Sequence, residues 1–117
     1  MGTREDILAA KDLGEKTEEV PEWDKTVIMT GMTGTSRGDV VAALVGKDED
    51  EVGVYLLKQA PALVAKYALD AETRTRIFTD EDTPALGEKN GEVTQRLAGI
   101  VLELSGLKKD AIEKAQA

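Results

Sequence analysis

Lys16-Thr17-Glu18-Glu19-Val20-Pro21-Glu22-Trp23-Asp24-Lys25-Thr26-Val27-Ile28-Met29-Thr30 decides the fold. Two runs rich in Thr, Val and Ile, Lys16 to Val20 and Lys25 to Thr30, flank Pro21-Glu22-Trp23-Asp24. Proline ends the first run and presets a turn, and aspartate closes it. The pattern predicts a β-hairpin, with Val27 and Met29 on one face of its second strand and Ile28 on the other. A lone hairpin is marginal in water, so it requires a packing partner.

Helical patterns supply that partner. Downstream, Val93, Leu97, Ile100, Val101 and Leu104 recur at i, i+4, i+7, i+8 and i+11 behind Asn90, a capping residue, and Gly106 stops the run. Thr79 or Asp80 caps a shorter helix that buries Leu86 and ends at Gly87. Residues 108–117 read as a further amphipathic turn or two, with Leu107 and Ile112 on the core. Between hairpin and Gly87, Val52 to Leu69 is strongly apolar, and Pro61 predicts two helical segments or one kinked there. Asp70 to Arg76 reads as a turn, and Arg76 to Thr79 as a brief extended piece. Val40, Val41, Leu44 and Val45 predict one face of a helix capped by Thr35 or Ser36.

Upstream of the hairpin, Thr3 can cap a short helix with Glu5 and Asp6 in its first turn, Ile7, Leu8 and Leu13 as apolar contacts, and Gly14 as its stop. Residues 1–15 read as an arm and 16–117 as the domain. The expected class is α+β: a small, mainly helical domain with one N-terminal β-hairpin on four to six helices.

Composition agrees and narrows the chemistry. A chain of 117 residues gives one domain and can bury very roughly 65% of its unfolded surface. Aromatic residues are scarce, so Leu, Val, Ile and Ala fill the core, which favours helices. The chain has neither histidine nor cysteine. That excludes Ser-His-Asp and Cys-His catalysis, Cys/His zinc sites and disulfide scaffolds. Fifteen bases against 23 acids give a net charge of −8, which repels nucleic acid and anionic membrane surfaces. No run approaches the roughly 18 apolar residues of a membrane span, and the first residues lack the apolar stretch of a signal peptide.

Tempting motifs dissolve on inspection. Gly31-Met32-Thr33-Gly34-Thr35-Ser36-Arg37-Gly38 lacks the Gly-Lys-Ser/Thr ending of a phosphate loop and reads as turn residues before a helix. Asp48-Glu49-Asp50-Glu51 and Asp80-Glu81-Asp82 lack the ligand alternation and central glycine of a calcium loop. No catalytic residue, cofactor or metal follows from the sequence. Trp23 has two readings: a core anchor beside the helices, or an interface hot spot.

Order along the chain adds a resemblance. Val20-Pro21-Glu22-Trp23, the run Thr26 to Thr30, and Thr35-Ser36-Arg37-Gly38-Asp39 resemble the start of the tail assembly chaperones of long-tailed bacteriophages. Arg76-Ile77-Phe78-Thr79-Asp80-Glu81-Asp82, Ala85-Leu86-Gly87-Glu88-Lys89, Leu102-Glu103-Leu104-Ser105-Gly106-Leu107 and Asp110-Ala111-Ile112 are similar in order and spacing to that family. The resemblance spans about residues 16–115, and Thr83-Pro84 and Pro61 depart from it. It implies a non-enzymatic protein of the infected host's cytoplasm, absent from the mature virion. Such a protein binds the tape measure protein, keeps it soluble and recruits major tail protein subunits. The family often pairs a short form with a longer frameshifted one; Lys108-Lys109 is compatible with a slippery run. The expected partner face is the hairpin with Trp23, Val27 and Met29, plus exposed aliphatics of the central helices; the alternative reading places all of these residues in the core. The alternative is a head–tail connector or other structural protein retained in the virion. A small enzyme or nucleotide binder, and an acidic anti-host protein that mimics nucleic acid, are further alternatives. Oligomeric state stays open, a homo-oligomer included.

Overall fold

The computed structural model describes residues 2–107. The expected final turn, including Ile112, and the Lys108-Lys109 and Asp110-Ala111-Ile112 motifs lie outside the described residues. In chain order the elements are α1 (Thr3–Ala9), β1 (Glu15–Val20), a 3-10 turn (Pro21–Trp23), β2 (Lys25–Thr30), α2 (Gly34–Leu44), α3 (Glu49–Tyr67), β3 (Ala68–Asp70), a second 3-10 turn (Asp80–Asp82), α4 (Thr83–Gly87) and α5 (Gly91–Leu104). The class is α+β, as the sequence predicts.

β1 and β2 form the predicted hairpin, in register from Glu15 opposite Thr30 to Val20 opposite Lys25. Asp24 closes the turn in the left-handed region at φ 54°, which aspartate tolerates better than most residues, and its N–H donates to the Pro21 carbonyl at 3.0 Å. The sheet has a third strand that the sequence did not announce. β3 pairs antiparallel to β2, with Leu69 opposite Ile28, and makes β2 central. Ala68 and Leu69 therefore leave the helical run, because Ala68 turns extended directly after Tyr67. Arg76 bridges to Leu69, so the expected extended piece at Arg76 covers the outer side of β3.

One face of the sheet packs on helices. Val20, Val27 and Met29 join Leu63 and Val64 of α3 and Val93, Leu97 and Val101 of α5 in one core cluster. Val93, Leu97, Ile100 and Val101 of the α5 stripe are buried and Leu104 is half-buried at its end, and Asn90 caps the helix by accepting from the Glu92 N–H at 2.9 Å. Burying a leucine such as Leu97 contributes about 2–3 kcal/mol from apolar area. Ile28 is buried on the opposite face of the sheet.

α3 is one helix that runs through Pro61 rather than two. Its start is secured by a capping box: the Asp48 carboxylate accepts from the Glu51 N–H at 2.8 Å, and Glu51 reaches back to the Asp48 N–H. Pro61 lacks the N–H that Leu57's carbonyl would use, and the half-exposed position of Pro61 leaves water access there. Thr83-Pro84 is the start of α4, where proline is well accommodated. In α2 the cap is Thr33, whose hydroxyl accepts from the Ser36 N–H, rather than Thr35 or Ser36. α2 ends at Leu44, so Val45 leaves its apolar face and is 76% exposed.

The end of α5 is tied to the first half of the chain. Ser105 Oγ accepts from the Met32 N–H at 2.8 Å and donates to the Val101 carbonyl at 2.6 Å. Arg37 Nε donates to the Ser105 carbonyl at 2.7 Å. Gly31 N–H donates to the Gly14 carbonyl at 2.9 Å beside this anchor. Leu107 is buried as expected. α1 begins after Gly2, not after a Thr3 cap, and ends at Ala9, well before Gly14. It buries no residue: Ile7, Leu8 and Leu13 are exposed instead of making core contacts.

Candidate functional site

The hairpin turn is built around Trp23. Pro21 sets the 3-10 turn and Asp24 reverses the chain, which leaves the indole half-buried at the end of the sheet. Its ring meets Phe78 edge to face, with centroids 6.5 Å apart and planes at 76°. Edge-to-face pairs of this spacing hold both rings in place. Trp23 packs against the core cluster and keeps part of its surface in solvent.

Val27 and Met29 stand differently. They are 1% and 0% exposed, under the helices, with no surface for a partner in this conformation. This corrects their assignment to the partner face. The reason is that β2 is the central strand and the face carrying Val27 and Met29 lies under α3 and α5.

A charged cluster fixes the turn to α5. Arg96 on α5 contacts Glu22 through two N–H···O pairs at 3.3 Å, and its Nε lies 3.5 Å from a Glu18 carboxylate oxygen. That Nε is buried and makes no hydrogen bond. The Arg96 hydrogen bond, followed by a backbone hydrogen bond, holds the Glu22 carboxyl below its ordinary range, while Glu22 raises the Arg96 pKa. Sequence reasoning did not connect these residues, because Arg96 lies far from Glu18 and Glu22 along the chain. Its position between the buried Val93 and Leu97 on the α5 stripe is the only hint that it faces the hairpin.

Exposed aliphatics of the central helix form a second feature. Val54 and Leu57 of α3 are 51% and 52% exposed, and with the half-exposed Pro61 they fall at i, i+3 and i+7, on one side of the helix. Beside them Leu44 and Val52 make a small separate cluster with Val40, Tyr55 and Leu56. The Lys47 ammonium lies 5.6 Å from the Tyr55 ring centroid, within cation–π range. Among the described residues no group of acids is placed to hold a metal ion, and no helix is long and apolar enough to cross a membrane.

No family model matches this sequence, and no curated protein matches it. Among solved structures the fold has a counterpart in the tail assembly chaperone of bacteriophage HK97. The two chains are 23% identical, with a TM-score of 0.59 over 87% of this chain and 96% of that one, so this chain carries the same fold as that phage protein.

Proposed function

We propose that this chain is a tail assembly chaperone of a long-tailed bacteriophage. It binds the tape measure protein, keeps it soluble, and brings major tail protein subunits to it as the tube polymerises. The observation that carries this reading is the shared fold with the HK97 chaperone over nearly the whole described chain. The surface chemistry is consistent with it. A binder of exposed apolar helix needs an apolar docking patch within a charged, soluble surround. Trp23 at the hairpin turn and Val54 with Leu57 on α3 offer such patches, in a chain of net charge −8. Val27 and Met29 belong to the core and not to these patches. No step of this work is catalytic. The protein acts in the cytoplasm of the infected host and leaves the finished tail.

Co-expression with the tape measure gene tests the reading by solubility and affinity capture. The expected result is a tape measure protein that is soluble only with this chain and co-purifies with it. An insoluble tape measure with nothing captured, together with recovery of this chain from purified virions, overturns it in favour of a structural or connector role.

A further inference from the structure

The two edges of the sheet are finished differently. Register fixes which backbone groups point where. The Gly31 N–H bonds to the Gly14 carbonyl, so Lys16, Glu18 and Val20 direct their backbone groups at β2. Glu15, Thr17 and Glu19 then direct theirs outward from β1. On the far edge, the corresponding groups of β3 are taken: the Asp70 N–H donates to the Thr75 carbonyl at 2.8 Å, and the Ala68 carbonyl accepts from the Ile77 N–H at 3.2 Å. Nothing among the described residues takes the outward groups of Thr17 and Glu19. One edge is sealed by the chain itself and the other is open over a six-residue, regular strand.

We propose that the open edge of β1 is a strand-addition site for an extended, Lys- or Arg-bearing segment of another protein. Strand addition draws affinity from backbone hydrogen bonds and selectivity from alternate side chains. Along this strand Glu15 is paired with Arg74 and Glu18 lies beside Arg96, which leaves Glu19 as the acid without an arginine partner among the described residues. Glu19 also borders an open groove of about 510 Å³ at the turn end of the sheet, where Asp24, Asp70 and Glu72 outnumber Lys25. An antiparallel second copy of β1 centred on Thr17 sets Glu15 opposite Glu19 twice and Lys16 opposite Glu18 twice, so charge gives that occupant no net advantage. The acids around the groove, Glu19, Asp24, Asp70 and Glu72 with Lys25, favour a basic strand. This inference rests on register and charge and is independent of the chaperone reading.

Titration of the isotope-labelled full chain with a synthetic peptide of about eight residues alternating Lys and Val tests it, with the Glu-for-Lys peptide as control. The expected result is slowed exchange of the Thr17 and Glu19 amides and about tenfold weaker binding of the acidic peptide. Thr17→Pro removes an outward N–H and no bond to β2, so it folds and binds the Lys peptide about tenfold more weakly. Glu19→Lys, which leaves the backbone edge intact, narrows the preference for the basic peptide and covers the case in which the proline variant does not fold. Absence of binding up to about millimolar peptide, protection elsewhere than β1, equal binding of both peptides, or undiminished binding by folded Thr17→Pro overturns the proposal.

Discussion

Arg96 of α5 and Glu22 of the hairpin turn face one another through paired N–H···O contacts at 3.3 Å, across most of the chain's length. This pair joins the hairpin to α5. Its chemistry gives it a pH signature. The Glu22 pKa is lowered in the folded protein from an ordinary value of 4.5, so the pair's contribution is complete above that value and is lost as pH falls through the lower, folded value. Urea unfolding of the wild type and Glu22→Gln, followed from about pH 7 to about pH 3, is expected to show two curves that converge on the acid side. Parallel curves across that window exclude the pair as a source of the pH dependence.

Trp23 and Met29 separate binding from stability. Met29→Ala leaves a cavity under the sheet and is expected to cost about 3 kcal/mol in denaturant unfolding. Trp23→Ala is expected to remain folded while capture of the tape measure protein falls by about tenfold or more. A Trp23→Ala protein that captures its partner as the wild type does removes Trp23 from the proposed face.

Gly31 marks a close approach. A Cβ there would lie 3.2 Å from the Leu104 carbonyl oxygen and 3.3 Å from its carbon, both backbone atoms. The end of α5 is held by Ser105 and Arg37, so it has little room to retreat. Gly31→Ala is expected to cost about 1–3 kcal/mol, read from the urea midpoint, with the far-UV spectrum unchanged.

The arm can be removed. α1 buries nothing, while Gly14 and Glu15 hold to Gly31 and Arg74, with Glu15 and Arg74 paired at 2.6 Å. We propose that the domain begins near Glu15. Deletion of residues 2–12 is expected to shift the melting temperature by less than about 2 °C. A larger drop places the arm within the cooperative unit.

Much of the fold was legible because local rules agreed. The α5 stripe, the Asn90 cap, the Gly106 stop and the Pro21–Asp24 turn each follow from neighbours within a few residues. β3 was not legible, because three residues carry no period and Ala68-Leu69-Asp70 is extended only because β2 lies beside it. Pro61 left two readings open, two segments or one helix, and the structure has one, because a long, well-capped and well-packed helix tolerates one missing hydrogen bond. In the site, Trp23 stood out by residue type. The burial of Val27 and Met29 was not legible locally, because it depends on α3 and α5, distant in sequence, lying over that face of the sheet.

The covering of the hairpin by α5 sets a schedule for synthesis. Val27 and Met29 leave the ribosome long before Val93, Leu97 and Val101 exist to cover them. At about 5–20 residues per second, the wait from Thr30 to Leu104 is on the order of ten seconds. During that interval the nascent chain carries its apolar strand without the helix that covers it in the finished fold.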